Sequence, residues 1–400
     1  MTADNNMRQN AIYLDHSATT PVHPAVVAAM APFWAEQFGN PSSHHRIGYQ
    51  AARAVEKARR TVAEVLGTDP ETIVFTGCGS ESNNLALRGA MTASKAAGRG
   101  EHLIVSAIEH SAVLETARQL RDYFGYELTI LPVDRFGRVH ISDVEAAIRP
   151  ETALISVMAA NNEVGSVQPW AEIGALARSR GVLFHTDAVQ LVAARQWQLN
   201  AEPVDLMTIA PHKFYGPKGV GILVVRSGVD LVSSQTGGSQ ENGRRAGTLN
   251  VPLIIGAAEA LRLAAAEREE RLAHVLPLRD RLLAELPAAL PDQCIVTGHP
   301  TERLPHHASF AFRNLSGNDL LIHLDVAEIA AGSGSACSSG DPKPSAVLQA
   351  LGLSPEWTTG GLRLTVGAQN TDAEIDYTLG KIVEIVLKLS ALEAGYQVVA

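Results

Sequence analysis

Short β-rich runs alternate with helical stretches between about residues 70 and 226, and this alternation constrains the fold more than any other feature. Strands that alternate with helices along a chain form a mostly parallel sheet with helices on both faces. The last run follows Gly-Pro-Lys-Gly-Val (216–220) with no helix between, so we expect it to be an antiparallel partner in the sheet. The seven runs are 72–76, 103–106, 128–131, 154–157, 182–185, 206–209 and 221–225.

Helical stretches lie between most of these runs. The first two open with a serine, a favoured N-cap residue, and we expect Ser80 and Ser111 to cap them. The predicted helices are 80–97, 111–123, 141–148 and 170–180.

The second half of the chain has a different pattern. Two charged helical stretches lie near 256–275 and 276–286, and Pro277 suits the first turn of the second one. The fold class is therefore α/β: a large domain with a mostly parallel seven-stranded sheet, and a smaller α+β domain. We predict that the large domain spans residues 18–260. The small domain would combine residues 1–17 with 261–400, including a Ser/Gly-rich stretch at 332–340.

Composition excludes several classes of protein. The formal net charge of −9 does not favour direct binding to nucleic acid. Three cysteines in 400 residues, without a CxxC pair, exclude a disulfide framework and a cysteine-based zinc site. The polar N-terminus resembles no signal peptide, and no apolar run is long enough to span a bilayer. We therefore expect a cytoplasmic protein without a membrane segment.

Polar side chains follow several of the predicted strands, at the sheet edge where α/β proteins bind ligands. A small-residue turn, Gly-Cys-Gly-Ser-Glu-Ser (77–82), leads into a helix whose N-terminus is suited to an anion. His110, Asn161 or Asn162, Asp187 and Lys213 follow other strands. Four of these five features have an ordinary structural explanation: a common glycine turn, a cap at His110, a turn former at the asparagines and a surface lysine at 213. Asp187 favours a function by itself, because an unpaired carboxylate after a buried strand would be costly. The ordinary explanations would all have to hold at one edge, which favours a shared function.

Pyridoxal phosphate chemistry needs this combination of groups. A lysine forms a Schiff base, a carboxylate keeps the pyridine nitrogen protonated, and a helix N-terminus holds the phosphate. An aromatic or imidazole ring covers the face of the cofactor.

Eight motifs together resemble the cysteine desulfurases, class V enzymes of the fold-type I pyridoxal-phosphate transferases. The Ser-Gly-Ser-Ala-Cys sequence resembles group I, which includes the NifS and IscS types. The resemblance extends from about residue 11 to 380. The motifs are Asp-His-Ser-Ala-Thr-Thr-Pro (15–21), Phe-Gly-Asn-Pro-Ser-Ser-His-His (38–45), Phe-Thr-Gly-Cys-Gly-Ser-Glu-Ser-Asn-Asn (75–84), Asn-Asn-Glu-Val-Gly (161–165), His-Thr-Asp-Ala-Val-Gln (185–190), His-Lys-Phe-Tyr-Gly-Pro-Lys-Gly (212–219), Arg-Arg-Ala-Gly-Thr (244–248) and Gly-Ser-Gly-Ser-Ala-Cys-Ser-Ser (332–339).

The resemblance implies a role for each matching residue. Lys213 would be the Schiff-base lysine, Cys337 the nucleophile, and His110 would stack on the ring and transfer protons. Asn162, which also lies against the cofactor, and Arg363 would hold the substrate carboxylate, for which an arginine fork is suited. Thr248 would reach the phosphate in the other subunit of a homodimer. The remaining cofactor contacts would be Asp187 to the pyridine nitrogen, Gln190 to the ring hydroxyl, and Gly79, Ser80 and His212 to the phosphate.

Two positions depart from the family pattern. The family usually has a serine two residues before the histidine of its His-Lys pair, whereas this chain has Ala210 and then Pro211, which has no N–H. One phosphate hydrogen bond is therefore missing, or Ser80 and Thr248 compensate for it. The substrate arginine is followed by Gly-Ala-Gln-Asn (367–370), where group I members often have a further arginine.

The implied reaction converts L-cysteine to L-alanine and leaves the sulfur on Cys337 as a persulfide. The thiol must be a thiolate and must carry the sulfur away, which a Ser/Gly-rich stretch allows. The acceptor would be an iron–sulfur scaffold or a tRNA-thiolation enzyme, with DNA phosphorothioation also open. We interpret Cys78 and Cys294 as packing residues, and we expect no metal at His44 and His45. A selenocysteine lyase, an ordinary class V aminotransferase and a non-enzymatic sulfur-carrier scaffold are the alternatives.

Overall fold

The computed structural model describes residues 11–334 and 344–397 of the chain. Cys337 therefore lies outside the described residues. The N-terminal part contains the short strand β1 (Ile12–Tyr13) and three helices, α1 (Pro24–Met30), α2 (Pro32–Ala35) and α3 (Arg46–Leu66).

A seven-stranded sheet forms the centre of the larger part of the molecule, as predicted. Its spatial order is β2-β8-β7-β6-β5-β3-β4. All neighbouring strands are parallel except β8, which runs antiparallel to both β2 and β7 and so confirms the expectation for the last run. The strands are β2 (Ile73–Thr76), β3 (His102–Ser106), β4 (Glu127–Leu131), β5 (Thr152–Ser156), β6 (Leu183–Asp187), β7 (Leu206–Ile209) and β8 (Gly221–Val225).

The predicted crossover helices are α4 (Gly79–Ala96), α5 (Ser111–Phe124), α6 (Ile141–Ala147) and α7 (Trp170–Ser179). The predicted serine caps are wrong. Cys78 Sγ accepts the Glu81 N–H of α4, and His110 Nδ1 accepts the Ala112 N–H of α5. A sulfur or an imidazole nitrogen can accept such a bond as a hydroxyl does. Cys78 lies two residues before the predicted cap Ser80, and His110 lies one residue before the predicted cap Ser111. Both helices therefore begin with a side chain that also lies at the sheet edge.

Apolar side chains cover both faces of this sheet. One face packs against α3, α7 and α8 (Val251–Ala266), and the other packs against α4 and α5. The strands are buried almost throughout, as expected for a parallel sheet with helices on both faces, except for the partly exposed edge strand β4. The strand ends are thereby fixed, and the loops that follow them are held at one edge.

The rest of the chain encloses a second apolar core, to which Leu14 also contributes. An antiparallel sheet of β9 (Cys294–Val296), β10 (His307–Phe312) and β12 (Gly361–Thr365) lies here, in the order β12-β10-β9. The two-residue strand β11 (Ile329–Ala330) pairs in parallel with β1. The helices are α9 (Arg268–Ala289), α10 (Gly317–Val326), α11 (Ala346–Ala350), α12 (Pro355–Thr358) and α13 (Asp372–Gln397).

The expectation for Pro277 is wrong, because this residue lies inside α9 rather than in its first turn. Val275, Leu278 and Leu282 are buried in the second core, and this apolar stripe keeps the helix continuous despite the missing N–H. Near the predicted domain boundary, α8 contributes buried residues to the first core as far as Ala264. The domain division at 17/18 and 260/261 stays a prediction.

Candidate active site

The carboxyl edge of the large sheet borders a cavity of about 410 Å³, a size typical of small-molecule sites. Nine of the predicted site residues line it. The segment from Ser17, which follows β1, and the turn at Ser333 and Gly334 complete its wall. The nine residues are Gly79, Ser80, His110, Asn162, Asp187, Gln190, His212, Lys213 and Arg363.

Two predicted residues are not among them. Thr248 lines a different cavity, together with Gly77 and Arg245. The contact of Thr248 with the cofactor of the other subunit therefore stays a prediction. Cys337 lies outside the described residues, so its role also stays a prediction.

The N-terminus of α4 forms one end of the cavity. The first N–H groups of a helix have no partner within the helix, and the helix dipole adds positive potential there. A Cβ atom on Gly79 would lie 3.3 Å from the Ala210 Cβ, closer than ordinary contact. The glycine therefore allows the helix end to approach the turn that carries Lys213, and this end of the cavity can hold an anion.

Ala210 lies at the same place, where the family usually has a serine. It is buried against Gly79 and lines the cavity, and it offers no hydroxyl. Any phosphate at this end would depend on the α4 N-terminus and on neighbouring polar groups such as Ser80 and His212.

Asp187 is the last residue of β6, and its carboxylate is buried. Its Oδ2 accepts a hydrogen bond from Asn83 Nδ2 at 2.7 Å, and its Oδ1 accepts the Val189 N–H at 3.1 Å. Donors to both oxygens favour the charged carboxylate, which can hold a protonated ring nitrogen.

Lys213 ends a short 3₁₀ turn that begins at Pro211, directly after β7. Its Nζ donates to the carbonyl oxygens of Ser17 at 2.6 Å and Ala18 at 2.7 Å. Burial, followed by the Arg363 guanidinium, lowers the pKa of Lys213 to about 8, although Asp15 and Asp187 act in the opposite direction. A substantial fraction of the amine is therefore neutral near pH 8, as a nucleophilic or proton-accepting lysine requires.

His110 caps a helix and also lines the cavity. Its Nδ1 accepts the Ala112 N–H at 3.0 Å and so caps α5, while the residue lines the cavity. Because Nδ1 is an acceptor, the neutral ring carries its proton on Nε2. The cap interpretation and the functional one are therefore compatible.

The two asparagines that sequence reasoning could not separate have different environments. Asn161 is fully buried, and its Oδ1 accepts the N–H groups of Glu163 and Val164, so it forms the turn. Asn162 lines the cavity, and its carbonyl oxygen accepts a hydrogen bond from Arg363 Nη1 at 3.0 Å. The structure thus places Asn162 beside Arg363, the residue predicted to bind the substrate carboxylate.

Arg363, on β12, is buried and forms an ion pair with Asp15 at 2.6 Å. Its Nε is buried and has no hydrogen-bond partner within the protein. The guanidinium thus keeps a donor for a ligand carboxylate, and Asp15 fixes the plane of the fork.

Gln190 and His212 bind the N-terminal segment that closes the cavity. Gln190 Nε2 donates to the Ser17 carbonyl oxygen at 3.0 Å, and His212 Nδ1 lies 3.2 Å from Thr19 Oγ1. Burial, with smaller effects of Lys213 and Lys218, lowers the pKa of His212 to about 4, so its ring is neutral at pH 7.

Sequence reasoning missed two buried carboxyl groups beside the site. Glu109 precedes His110, accepts from Ser106 Oγ and the Met158 N–H, and has its pKa raised to about 8 by burial. Glu163 follows Asn162 and accepts from Ser345 Oγ; burial raises its pKa to about 6, although Ser345 and Arg363 lower it. Each is next to a predicted site residue in the sequence, and this adjacency is the signal by which the sequence could have identified it.

The two other cysteines differ from each other. Cys294 is buried in β9, which confirms its packing interpretation, and burial raises the pKa of its thiol to about 12. The packing interpretation of Cys78 is wrong, because its side chain is exposed, caps α4 and lines the cavity.

His45 Nδ1 accepts the Gly48 N–H and caps α3. Among the residues that the structure describes, no three His, Cys, Asp or Glu side chains are grouped to hold a metal ion. None of the helices within 11–334 and 344–397 combines the length and apolar character needed to cross a bilayer.

Comparison with known proteins gives consistent matches over most of the chain. The family model described as Aminotransferase class-V matches residues 12–378. Cysteine desulfurase IscS of Methanosarcina thermophila is 44% identical over 379 residues, which are 95% of this chain and 93% of that protein. Cysteine desulfurase IscS of Dictyoglomus turgidum is 42% identical over 381 residues, covering 95% and 96%. A solved structure described as a NifS-like protein superposes with a TM-score of 0.88 at 36% identity, over 94% of this chain and 99% of that one.

Proposed function

Because the chain belongs to the class-V aminotransferase family and is a pyridoxal-phosphate-dependent cysteine desulfurase, we propose that Lys213, His110 and Cys337 are its catalytic residues. The observation that carries this assignment is one cavity. It places the depressed-pKa amine of Lys213, the buried carboxylate of Asp187 and the N-terminus of α4 together. A lysine, a carboxylate and an anion site in one cavity are the parts that this cofactor requires.

The residues present fit pyridoxal phosphate. Gly79, Ser80 and His212 would hold the phosphate end, and Asp187 would hold the ring nitrogen. Gln190 would face the ring hydroxyl, and His110 and Asn162 would lie against the ring. The cofactor would supply the electron sink that makes the Cα–H of the bound amino-acid substrate acidic.

Lys213 and His110 would then move protons. Since the pKa of Lys213 is about 8, its free amine accepts a proton near neutral pH without a large energetic penalty. The carbonyl oxygens of Ser17 and Ala18 hold Nζ in place. His110, with Nδ1 occupied by the Ala112 N–H, would donate or accept protons through Nε2.

Arg363 and Asn162 would bind the substrate carboxylate. The ion pair with Asp15 and the bond to the Asn162 carbonyl oxygen orient the guanidinium before substrate arrives. Such preorganisation lowers the entropy that is lost when the substrate is positioned.

Cys337 would take the sulfur. Its thiolate attacks the sulfur of L-cysteine, an S–S bond forms and the substrate's C–S bond breaks. The electron pair of the C–S bond stays with the Cβ carbon, which gains a proton, so that L-alanine and a Cys337 persulfide result. The reaction needs no external oxidant, because the sulfur is oxidised as the carbon is reduced.

The persulfide sulfur passes to an acceptor protein. We propose an iron–sulfur scaffold or a tRNA-thiolation enzyme as that acceptor, supported by the IscS names of the relatives. A homodimer, in which Thr248 reaches the partner's cofactor phosphate, and a cytoplasmic location belong to the same proposal. The location is supported by the low cysteine content.

Two substitutions test the catalytic assignments. Lys213→Ala should abolish the visible absorbance band of the purified protein. Cys337→Ser should keep that band and release no sulfide from L-cysteine under reducing conditions. Cys294→Ala is the matched control, because it removes a thiol that burial keeps protonated, and it should retain both properties. Unchanged sulfide release by Cys337→Ser would show that another group is the nucleophile.

A further inference from the structure

Asn83 contacts the carboxylate that would face the cofactor, although no motif argument singled it out. The residue is buried on α4, and its Nδ2 donates to Asp187 Oδ2 at 2.7 Å. This is a short hydrogen bond to a group that is charged when it functions, and such bonds are stronger than neutral ones.

The position of Asn83 on α4 connects two parts of the site. Gly79 and Asn83 are four residues apart, so they lie on the same face of the helix, one turn from each other. The helix N-terminus would hold the cofactor phosphate, and the next turn holds Asp187. One rigid helix therefore sets the spacing between the phosphate end and the carboxylate.

The Asn83 amide has only one orientation that suits an ionised Asp187. Its Oδ1 is buried without a hydrogen-bond partner, so no hydrogen bond to Oδ1 fixes the orientation of the amide. Rotating the amide by half a turn would bring Oδ1 against the Asp187 oxygen, which is repulsive unless the carboxyl is protonated. The observed orientation thus matches a negative charge on Asp187.

Glu109 and Lys213 are titratable groups near this charge. The Asp187 carboxylate acts to raise the pKa of each, although burial lowers the pKa of Lys213 overall. Burial raises the pKa of Glu109 to about 8, and the Asp187 charge adds to this effect. Asp187 accepts from Asn83 and from the Val189 N–H, whereas burial keeps the proton on Glu109 at neutral pH.

We propose that Asn83 is a positioning residue, whose amide keeps the Asp187 carboxylate ionised and aimed at the ring nitrogen of the cofactor. This inference rests on the proposed role of Asp187. Without the amide, the Asp187 carboxylate loses the donor to Oδ2 that orients it, and the ring nitrogen keeps its proton less firmly. The cofactor then withdraws electrons less strongly, and Cα–H cleavage slows.

Asn83→Leu in the holoenzyme tests the inference, because leucine has a similar volume and no donor. We expect kcat for alanine formation to fall about ten- to hundredfold, the range spanned by a hydrogen bond to a charged group. The visible absorbance band of the holoenzyme changes with pH, and the midpoint of that change should rise by about one pH unit. A cofactor ring with less positive charge would make the Lys213 nitrogen that is bonded to the cofactor more basic. Asn83→Ala removes the same donor without placing apolar atoms beside Asp187 and should move both readouts in the same direction.

Ser94→Ala is the control variant. Ser94 is a buried residue of α4, and its hydroxyl donates to the Gly100 carbonyl oxygen far from the cavity. Its loss should lower stability without moving the titration midpoint. If Asn83→Leu and Asn83→Ala keep the wild-type midpoint and kcat, the residue is merely structural and the inference is wrong.

Asp187→Asn separates this inference from the proposed function. If Asp187→Asn shifts the midpoint and the Asn83 variants do not, only the inference about Asn83 fails. If Asp187→Asn also leaves the midpoint unchanged, the proposed role of Asp187 itself is wrong, and the inference about Asn83 falls with it.

Discussion

Replacing Lys213 by methionine should make the apoprotein more stable at neutral pH. The side chain of methionine fills a similar volume and carries no charge. In the wild type, burial disfavours the Lys213 ammonium, and the positive charge of the Arg363 guanidinium disfavours it further. A buried charge of this kind lowers the stability of the fold.

The pKa shift gives the magnitude. The pKa of Lys213 falls from 10.5 to about 8, and a difference of roughly 2.5 in pKa corresponds to about 3 kcal/mol. Methionine cannot form the two hydrogen bonds to the Ser17 and Ala18 carbonyl oxygens. The Ser17 oxygen still accepts a hydrogen bond from Gln190, so the loss is roughly 1 kcal/mol in total. The expected net gain in the free energy of unfolding is about 1 to 2 kcal/mol.

The pH dependence identifies the cause. Below about pH 8, Lys213 is protonated in both the folded and the unfolded protein, so the folded state bears the full penalty. Between about pH 8 and pH 10.5, the unfolded state binds the extra proton, and wild-type stability rises with pH. The advantage of Lys213→Met should therefore shrink by about 2 kcal/mol between pH 7 and about pH 9.5.

Urea unfolding of the apoproteins at both pH values measures this difference. Lys218→Met is the matched control, because Lys218 is exposed on the same loop and should change stability little at either pH. A Lys213→Met protein that is less stable than wild type at pH 7, or a gain that does not depend on pH, would refute the reasoning.

Two further substitutions test the remaining charged groups of the site. Glu163→Gln keeps an acceptor for the Ser345 hydroxyl. Burial raises the pKa of Glu163 from 4.5 to about 6, so the wild type loses stability as the pH rises through this range and the buried carboxyl becomes charged. The variant should match wild type near pH 4 and be about 2 kcal/mol more stable at pH 8 by urea unfolding, and equal stabilities at pH 8 would contradict this. Arg363→Lys should raise KM for L-cysteine about ten- to hundredfold in steady-state alanine assays, because lysine lacks the fork that binds a carboxylate; an unchanged KM would show that the carboxylate binds elsewhere.

The sequence predicted the chemistry of the sheet edge because that part of the site depends on local order. Parallel strands end at one edge, so a polar residue that directly follows a strand, such as Asp187, must lie near Lys213 after the next strand. The antiparallel β8 was predictable for a similar reason, since the chain between β7 and β8 has no room for a crossover helix.

Contacts between distant segments were not predictable. The carbonyl oxygens of Ser17 and Ala18 meet the amine of Lys213 only after the N-terminal segment crosses the sheet edge. The pKa shifts of Glu109 and Glu163 come from burial, which no local pattern of an acidic residue reveals. The Asn83 contact with Asp187 likewise depends on how α4 packs against β6.

The cap of α4 shows a different limit. The predicted cap was Ser80, because hydroxyl side chains are the most frequent caps, but the helix begins at Gly79 and uses the Cys78 sulfur. An error of one or two residues at a helix boundary moved the cap to a different side chain.

Mass spectrometry of the enzyme after one turnover with L-cysteine tests the central claim most directly. The account predicts that the peptide with Cys337 gains one sulfur atom and that the peptides with Cys78 and Cys294 gain none, while one L-alanine forms per modified subunit. Alanine formation with sulfur on Cys78, which lines the cavity, or with no sulfur on Cys337, would contradict the account.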